Sequence, residues 1–416
     1  MKKEILKYLA GRFIPAIVNV AVVILAMRFL GPVEYGKYSL LLYSALLAIT
    51  LSFHWVQASI LRFLGSMPRE TNVVMSRFFD LTVFSALFST LIVMLLGVFY
   101  FHLAIPQLIL VSLFAFLNHF YLFHQAILQA YHRSVRMAIL EGADQLLIIL
   151  VLIAGIFFFN FHSSVLLLGS LVIGLAGALV LRSLIREKGL LTVDLTHIYW
   201  DSRFSGKVIE FGYGIALWLF FSHLLMAADR FILMEYLGYK EAGMYSGLKD
   251  LLFKGVTFAA LPLYISYQSK IVDQWNSRHK QEAWTTTKEA LSFEMLIFII
   301  VFIGFMVGKQ MLFRDLLRIP GMDSWLIYLP VLLACFIWQA VLLLQRFLEL
   351  TFRFSYMLIG IGGCVLLNIL LNMIFVPRFG VGASSMILLV SSLSYAGYIL
   401  ILALIAGKRI DQQEKA

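Results

Sequence analysis

Charge is scarce in this chain. Asp, Glu, Lys and Arg supply only 13% of its 416 residues, whereas 61% are apolar, and the mean hydropathy is +0.91. A soluble domain cannot cover that much apolar surface, so the solvent for most of the chain is lipid. Cysteine is nearly absent. Cys335 and Cys364 both lie inside apolar runs, which excludes a disulfide framework and a metal-binding spacing and leaves packing as their expected role. There is no basic domain and no aromatic–basic motif, so the net charge of +10 reads as a topology signal and not as a nucleic-acid footprint. No nucleotide-binding loop, catalytic motif or metal-ligand spacing occurs.

What is present is a series of apolar runs of about 20 residues, each long enough to cross a bilayer. The first follows Lys2, Lys3 and Lys7 and continues to Leu30 without a small-residue cleavage site, so it reads as an uncleaved span. Hydropathy and breakers place spans near 8–30, 38–63, 78–101, 105–130, 137–160 and 163–185, then 209–237, 243–268, 289–308, 324–350, 354–376 and 380–406. The expected organisation is an all-α membrane protein of about twelve spans. A first six-helix lobe occupies 1–186, an amphipathic cytoplasmic linker 187–206, a second lobe 207–407 and a tail 408–416. With the N-terminus in the cytoplasm, 21 of the 33 basic residues face inward and 7 outward, the asymmetry of a correct topology with both termini inside. The outer stretch 309–323, KQMLFRDLLRIPGMD, is amphipathic and expected on the membrane surface.

One turn is written twice. Residues 30–39 read LGPVEYGKYS and residues 237–246 read LGYKEAGMYS, six matches in ten at an offset of 207. Both copies follow the first span of a six-span half. The halves therefore point the same way, as a parallel repeat about an axis along the membrane normal. A further turn, PRFGVGAS at 377–384, opens the last span.

These turns, with Ala228-Asp229-Arg230-Phe231-Ile232-Leu233 ahead of the second copy and Asn368 ahead of Pro377, resemble the Wzx-type polysaccharide flippases. Those form a branch of the multidrug/oligosaccharidyl-lipid/polysaccharide (MOP) exporter superfamily. The resemblance implies two six-helix lobes in a V around a cavity exposed alternately to each side. It implies a non-enzymatic flippase without cofactor in a bacterial inner membrane. Its cargo would be undecaprenyl-diphosphate-linked oligosaccharide, moved to the outer leaflet for O-antigen, capsule or exopolysaccharide. A polysaccharide polymerase and a chain-length regulator are the implied partners, with membrane lipid around the chain and a proton or sodium ion as the coupling species.

Such cargo carries a diphosphate, for which Arg and Lys are suited, and charges inside spans mark function. Arg12, Arg230, Lys249 and Lys254 are the candidate cations, and Asn19, His54, Gln57 and Ser222 the candidate polar lining. Spacings of three and four put Arg12 with Asn19, and His54 with Gln57, on single helix faces. Competing structural roles stand beside these. Asp250 and Lys254, four apart, can neutralise each other, Arg12 can snorkel, and His54 can serve packing. The stripe Asn118, Tyr121, Gln125, Gln129 and His132 suits hydrogen bonding to sugar hydroxyls or to another helix, with helix-to-helix bonding the expected role. Asp229 and Glu294 are the deepest acids and the candidates for ion coupling. A MATE-like small-molecule antiporter is the alternative function and predicts buried carboxylates in a tight cavity. A glycan polymerase predicts a large catalytic outer loop, and a scaffold predicts that the charges are dispensable.

Overall fold

The computed structural model describes residues 15–64, 72–131, 133–184, 201–277, 279–350 and 354–415, and among them every regular element is helical. In chain order these are α1 (Pro15–Leu30, closing in a π-turn over Ala26–Leu30), α2 (Pro32–Phe63), α3 (Asn72–Phe99), α4 (Ile105–Ala130), α5 (Ser134–Phe157) and α6 (Ser164–Leu184). There follow α7 (Ser202–Leu237), α8 (Tyr239–Asn276), α9 (Lys280–Gln310), α10 (Trp325–Leu344), α11 (Arg346–Leu350) and α12 (Phe354–Lys415). Nine of the described helices are long and apolar enough to span a bilayer, which makes this a multi-pass membrane protein. In lipid a helix is the economical span, because it satisfies its backbone polar groups internally.

The difference between nine and the expected twelve has identifiable causes. The helix α12 contains two expected spans merged across Gly380, whose φ of 65° and ψ of −150° are not helical. The helix α8 is long enough but too charged, carrying Lys240, Glu241, Lys249, Asp250 and Lys254. Only the latter part of the first expected span, Pro15–Leu30, is described. The expected surface stretch 309–323 behaves otherwise than as a separate surface element. Its first part prolongs α9 through a π-turn, Met311–Leu316, and Phe313, Leu317 and Ile319 are buried.

The chain divides into two compact units whose boundaries fall near the repeated turn. One takes the chain up to Val22 with Lys37–Leu224, and the other takes Val23–Gly36 with the chain from Leu225. In the first, Phe53, Val56, Ile60, Phe78, Phe123 and Val208 form an apolar core that draws together α2, α3, α4 and α7. Polar glue crosses it. His119 Nε2 lies 3.1 Å from Ser52 Oγ and 3.3 Å from Ser89 Oγ, and Gln125 donates to Glu141 across α4 and α5 at 3.3 Å. Asp201 caps α7 by accepting the backbone N–H groups of Arg203 and Phe204 at 2.9 and 3.2 Å. The Phe204 N–H, aided by nearby Arg77, holds this carboxyl below the usual carboxylate range. In the second unit, Asn368 donates to Ser391 at 3.1 Å and ties together the limbs of α12 on either side of Gly380.

The repeated turn is repeated in conformation. Gly31 (φ 85°, ψ 167°) and Gly238 (φ 86°, ψ 174°) join α1 to α2 and α7 to α8 in the same backbone state, one that favours glycine. Tyr35 N donates to Gly31 O at 3.1 Å and Ala242 N to Gly238 O at 3.2 Å, the same bond displaced by 207 residues. The two copies also clasp each other inside the second unit. A Cβ on Gly36 would collide with Tyr239 O, and one on Gly243 with Pro32 O. Tyr239 is the repeat partner of Pro32, and Gly243 of Gly36, so the contact is reciprocal, as a two-fold axis requires. Backbone approaches backbone there, with no side chain free to move aside. Gly243→Ala is therefore expected to lower stability by about 1–3 kcal/mol through overpacking. Gly255→Ala, also in α8, meets open space and is expected to be tolerated. Thermal unfolding of both variants in detergent checks the pair.

A buried charge cluster on α7 and α8

The turn at Gly238 folds α7 back on α8 and brings four charged side chains into one dry cluster within the second unit. Arg230 is 1% exposed, Lys249 1%, Asp229 0% and Asp250 7%. The pairing is crossed. Arg230 grips Asp250 with both arms of its guanidinium, Nη1 to Oδ2 at 3.0 Å and Nη2 to Oδ1 at 2.6 Å. Lys249 Nζ donates to Asp229 Oδ2 at 2.5 Å and to Met226 O at 2.8 Å. Each carboxylate also accepts a phenol, Tyr35 on Asp250 at 2.7 Å and Tyr245 on Asp229 at 2.8 Å. Desolvating four ions is costly, and this arrangement offsets the cost by giving every charge an opposite charge, and Lys249 and both carboxylates a further hydrogen-bond partner.

The structure thus brings together Arg230, Lys249 and Asp229 of the sequence candidates. It neutralises both cations on protein carboxylates in this conformation. Lys254 stands one turn beyond Asp250 on α8, half-buried, within electrostatic reach of the carboxylate that Arg230 grips with both arms. Glu294 lies on α9 among apolar side chains. His54, Gln57 and Ser222 belong to the first unit. There Ser222 Oγ donates to Trp218 O at 2.8 Å within its own helix. His54 sits 6.4 Å, ring to ring, from His223, and Gln57 is half-buried. Asn19 donates to Pro15 O at 3.0 Å. Arg12 and His132 lie outside the described residues.

Sequence reading passed over Tyr35 and Tyr245, which complete the cluster. The signal was available for one of them, since Tyr245 is the tyrosine that recurs in the repeated turn. The repeat also isolates what is special to the second half. The positions 207 residues before Asp229, Arg230, Lys249 and Asp250 hold Val22, Val23, Leu42 and Tyr43, so the turn was kept while the charges were not. No group of three His, Cys, Asp or Glu able to hold a metal occurs among the described residues.

Many apolar helices in two units with a repeated turn define a class, the polytopic membrane protein. The fold is, more narrowly, similar to those of solved MOP superfamily transporters. Over 99% of both chains it is similar to a multidrug resistance MATE family transporter of that superfamily in its inward-facing conformation, at 14% identity and a TM-score of 0.67. It is similar to the lipid II flippase MurJ in an inward closed conformation over 97% of this chain and 89% of that one, at 12% identity and a TM-score of 0.69. A MOP superfamily transporter from Pyrococcus furiosus, described as having a binding pocket of reversed polarity, matches over 99% and 95% at 13% identity and a TM-score of 0.63. These neighbours are transporters and a flippase, not enzymes. No family model and no curated protein sequence matches the chain.

Breaking one bridge is expected to cost far more than removing it whole. Arg230→Ala leaves Asp250 buried without its counter-charge and should destabilise by about 3–5 kcal/mol. The double variant Arg230→Met/Asp250→Leu should recover most of that loss. Unfolding temperatures of the single and double variants in detergent measure the difference.

Proposed function

We propose that the chain is a Wzx-type flippase that carries undecaprenyl-diphosphate-linked oligosaccharide from the cytoplasmic to the outer leaflet of a bacterial inner membrane. In this reading both termini are cytoplasmic. The six-span halves 1–186 and 207–407 alternate in access, joined by the linker 187–206. The product feeds a cell-surface polysaccharide, O-antigen, capsule or exopolysaccharide, through a polymerase and its chain-length regulator.

The observation that carries this reading is the concentration of cations on α7 and α8, where Arg230 and Lys249 are buried and Lys254 is half-buried. A diphosphate matches such a set of cations, and a cationic cargo does not. Arg230 offers the two-pronged geometry that phosphate oxygens favour, now taken by Asp250. Substrate would enter by exchange, one anion for another at the same guanidinium, so the unpaired-charge cost is never incurred in full. Protonation of Asp229, or sodium bound to it, would loosen Lys249 in the same way and couples the cluster to an ion gradient.

The test is transport in liposomes loaded with fluorescent undecaprenyl-diphosphate oligosaccharide, with added glycosidase reporting label that has crossed. Protein-dependent crossing is expected. The charge-neutral double variant Asp229→Asn/Lys249→Met should fold normally and slow crossing by about tenfold or more, a loss of roughly 1.4 kcal/mol per decade. Unimpaired crossing in that variant removes the cluster from the mechanism. Absence of crossing with exchange of small cations across the membrane replaces the flippase with an antiporter.

A further inference from the structure

Asp229 and Asp250 each hold a cation and a phenol, but a third acid of the second unit is placed quite differently. Glu294, on α9, is 4% exposed, and neither of its carboxylate oxygens has a hydrogen-bond partner among the described residues. No charged side chain among the described residues stands against it. It lines a cavity of about 290 Å³ between α9 and α10, together with Met295, Phe298, Leu333, Phe336 and Ile337. Phe298 and Phe336 meet edge to face there, with ring centroids 4.3 Å apart. Met295 is exposed, so the groove opens at the surface of the second unit.

A fold has little reason to aim an acid into an apolar groove for packing. Leucine would fill the space without the desolvation that a carboxylate suffers. The chemistry that suits the place is an apolar body carrying one cationic hydrogen-bond donor. The body meets the aromatic and aliphatic walls, and the donor supplies the missing counter-charge. The volume lies at the small end of ligand pockets, room for one ring and a short chain.

We propose that the α9–α10 groove binds a small lipophilic primary amine, with Glu294 as its counter-ion. An ammonium arriving from water displaces the carboxyl proton, which leaves to solvent, and the site's net charge is unchanged. An amine arriving uncharged through the bilayer takes the proton from the Glu294 hydroxyl on to its nitrogen, and none is released. Either route ends in the same ion pair in the same groove. The proposal concerns binding alone and does not depend on what the α7–α8 cluster carries.

Calorimetric titration of the purified full-length chain in detergent tests it, with 4-phenylbutylamine as probe and 4-phenylbutanol as its uncharged match. Saturable binding of the amine is expected, tighter at pH 8 than at pH 5 because the proton must leave for the ammonium to enter. Glu294→Gln should weaken the amine by about tenfold or more and leave the alcohol unaffected. Ala340→Phe, which fills the groove and keeps the carboxyl, should weaken both. If Glu294→Gln does not fold, the Ala340→Phe chain decides, and retained amine affinity there overturns the proposal. It is equally overturned by no saturable binding to the unsubstituted chain, or by an amine affinity that is the same with glutamine at 294.

Discussion

Ions are not stable alone in hydrocarbon, and the second unit is organised around that constraint. Asp229, Arg230, Lys249 and Asp250 sit where water does not reach, and each survives there because the facing helix supplies an opposite charge. The crossed pattern has a geometric consequence. Two bridges between α7 and α8, formed by adjacent residues on each helix, define both the rotation and the register of the hairpin. An apolar interface would define these only loosely, since lipid tails compete with leucine on nearly equal terms. A bidentate anion, or a proton on a carboxylate, is the natural competitor for a bridge already made of those parts.

The repeated turn plays the complementary part. Gly31 and Gly238 reverse the chain in identical conformations, and Gly36 and Gly243 let the two copies lie backbone to backbone. Tyr35, inside the first copy, reaches Asp250, and Tyr245, inside the second, reaches Asp229. The turn thus joins to the charge cluster through its own side chains. Its symmetry ends at the charges, because the first half has apolar residues and a tyrosine at their four positions. A duplicated scaffold carrying a single polar centre is economical. The scaffold serves geometry, which both halves need, and the centre serves chemistry, which one copy provides.

Three acids of the second unit illustrate how environment and residue type are separate variables. Asp250 is held by a guanidinium, Asp229 by an ammonium, and Glu294 by neither. As letters they are alike, embedded in apolar runs of similar hydropathy. What each can bind follows from its neighbours. The paired acids exchange partners only when a competing ion arrives, whereas the solitary one is open to a donor of the right size.

By itself the sequence determined the solvent, the helical class, the order of the spans and the doubled turn. All of these depend on local composition or on comparing the chain with itself. It also marked Arg230, Lys249 and Asp229, because a charge inside an apolar run is conspicuous without any structure. Tertiary structure alone decided who meets whom. Spacing offered Lys254, four residues away, as a neighbour for Asp250, and the tertiary structure added Arg230 and Tyr35, the latter 215 residues distant. Spacing likewise could not tell that Glu294 faces a groove, nor that the boundaries between the units fall at Val22, Gly36 and Leu224. Helical periodicity places residues on a common face of one helix. The direction in which that face turns is settled by packing against other helices, and a buried charge takes whichever counter-charge that packing delivers.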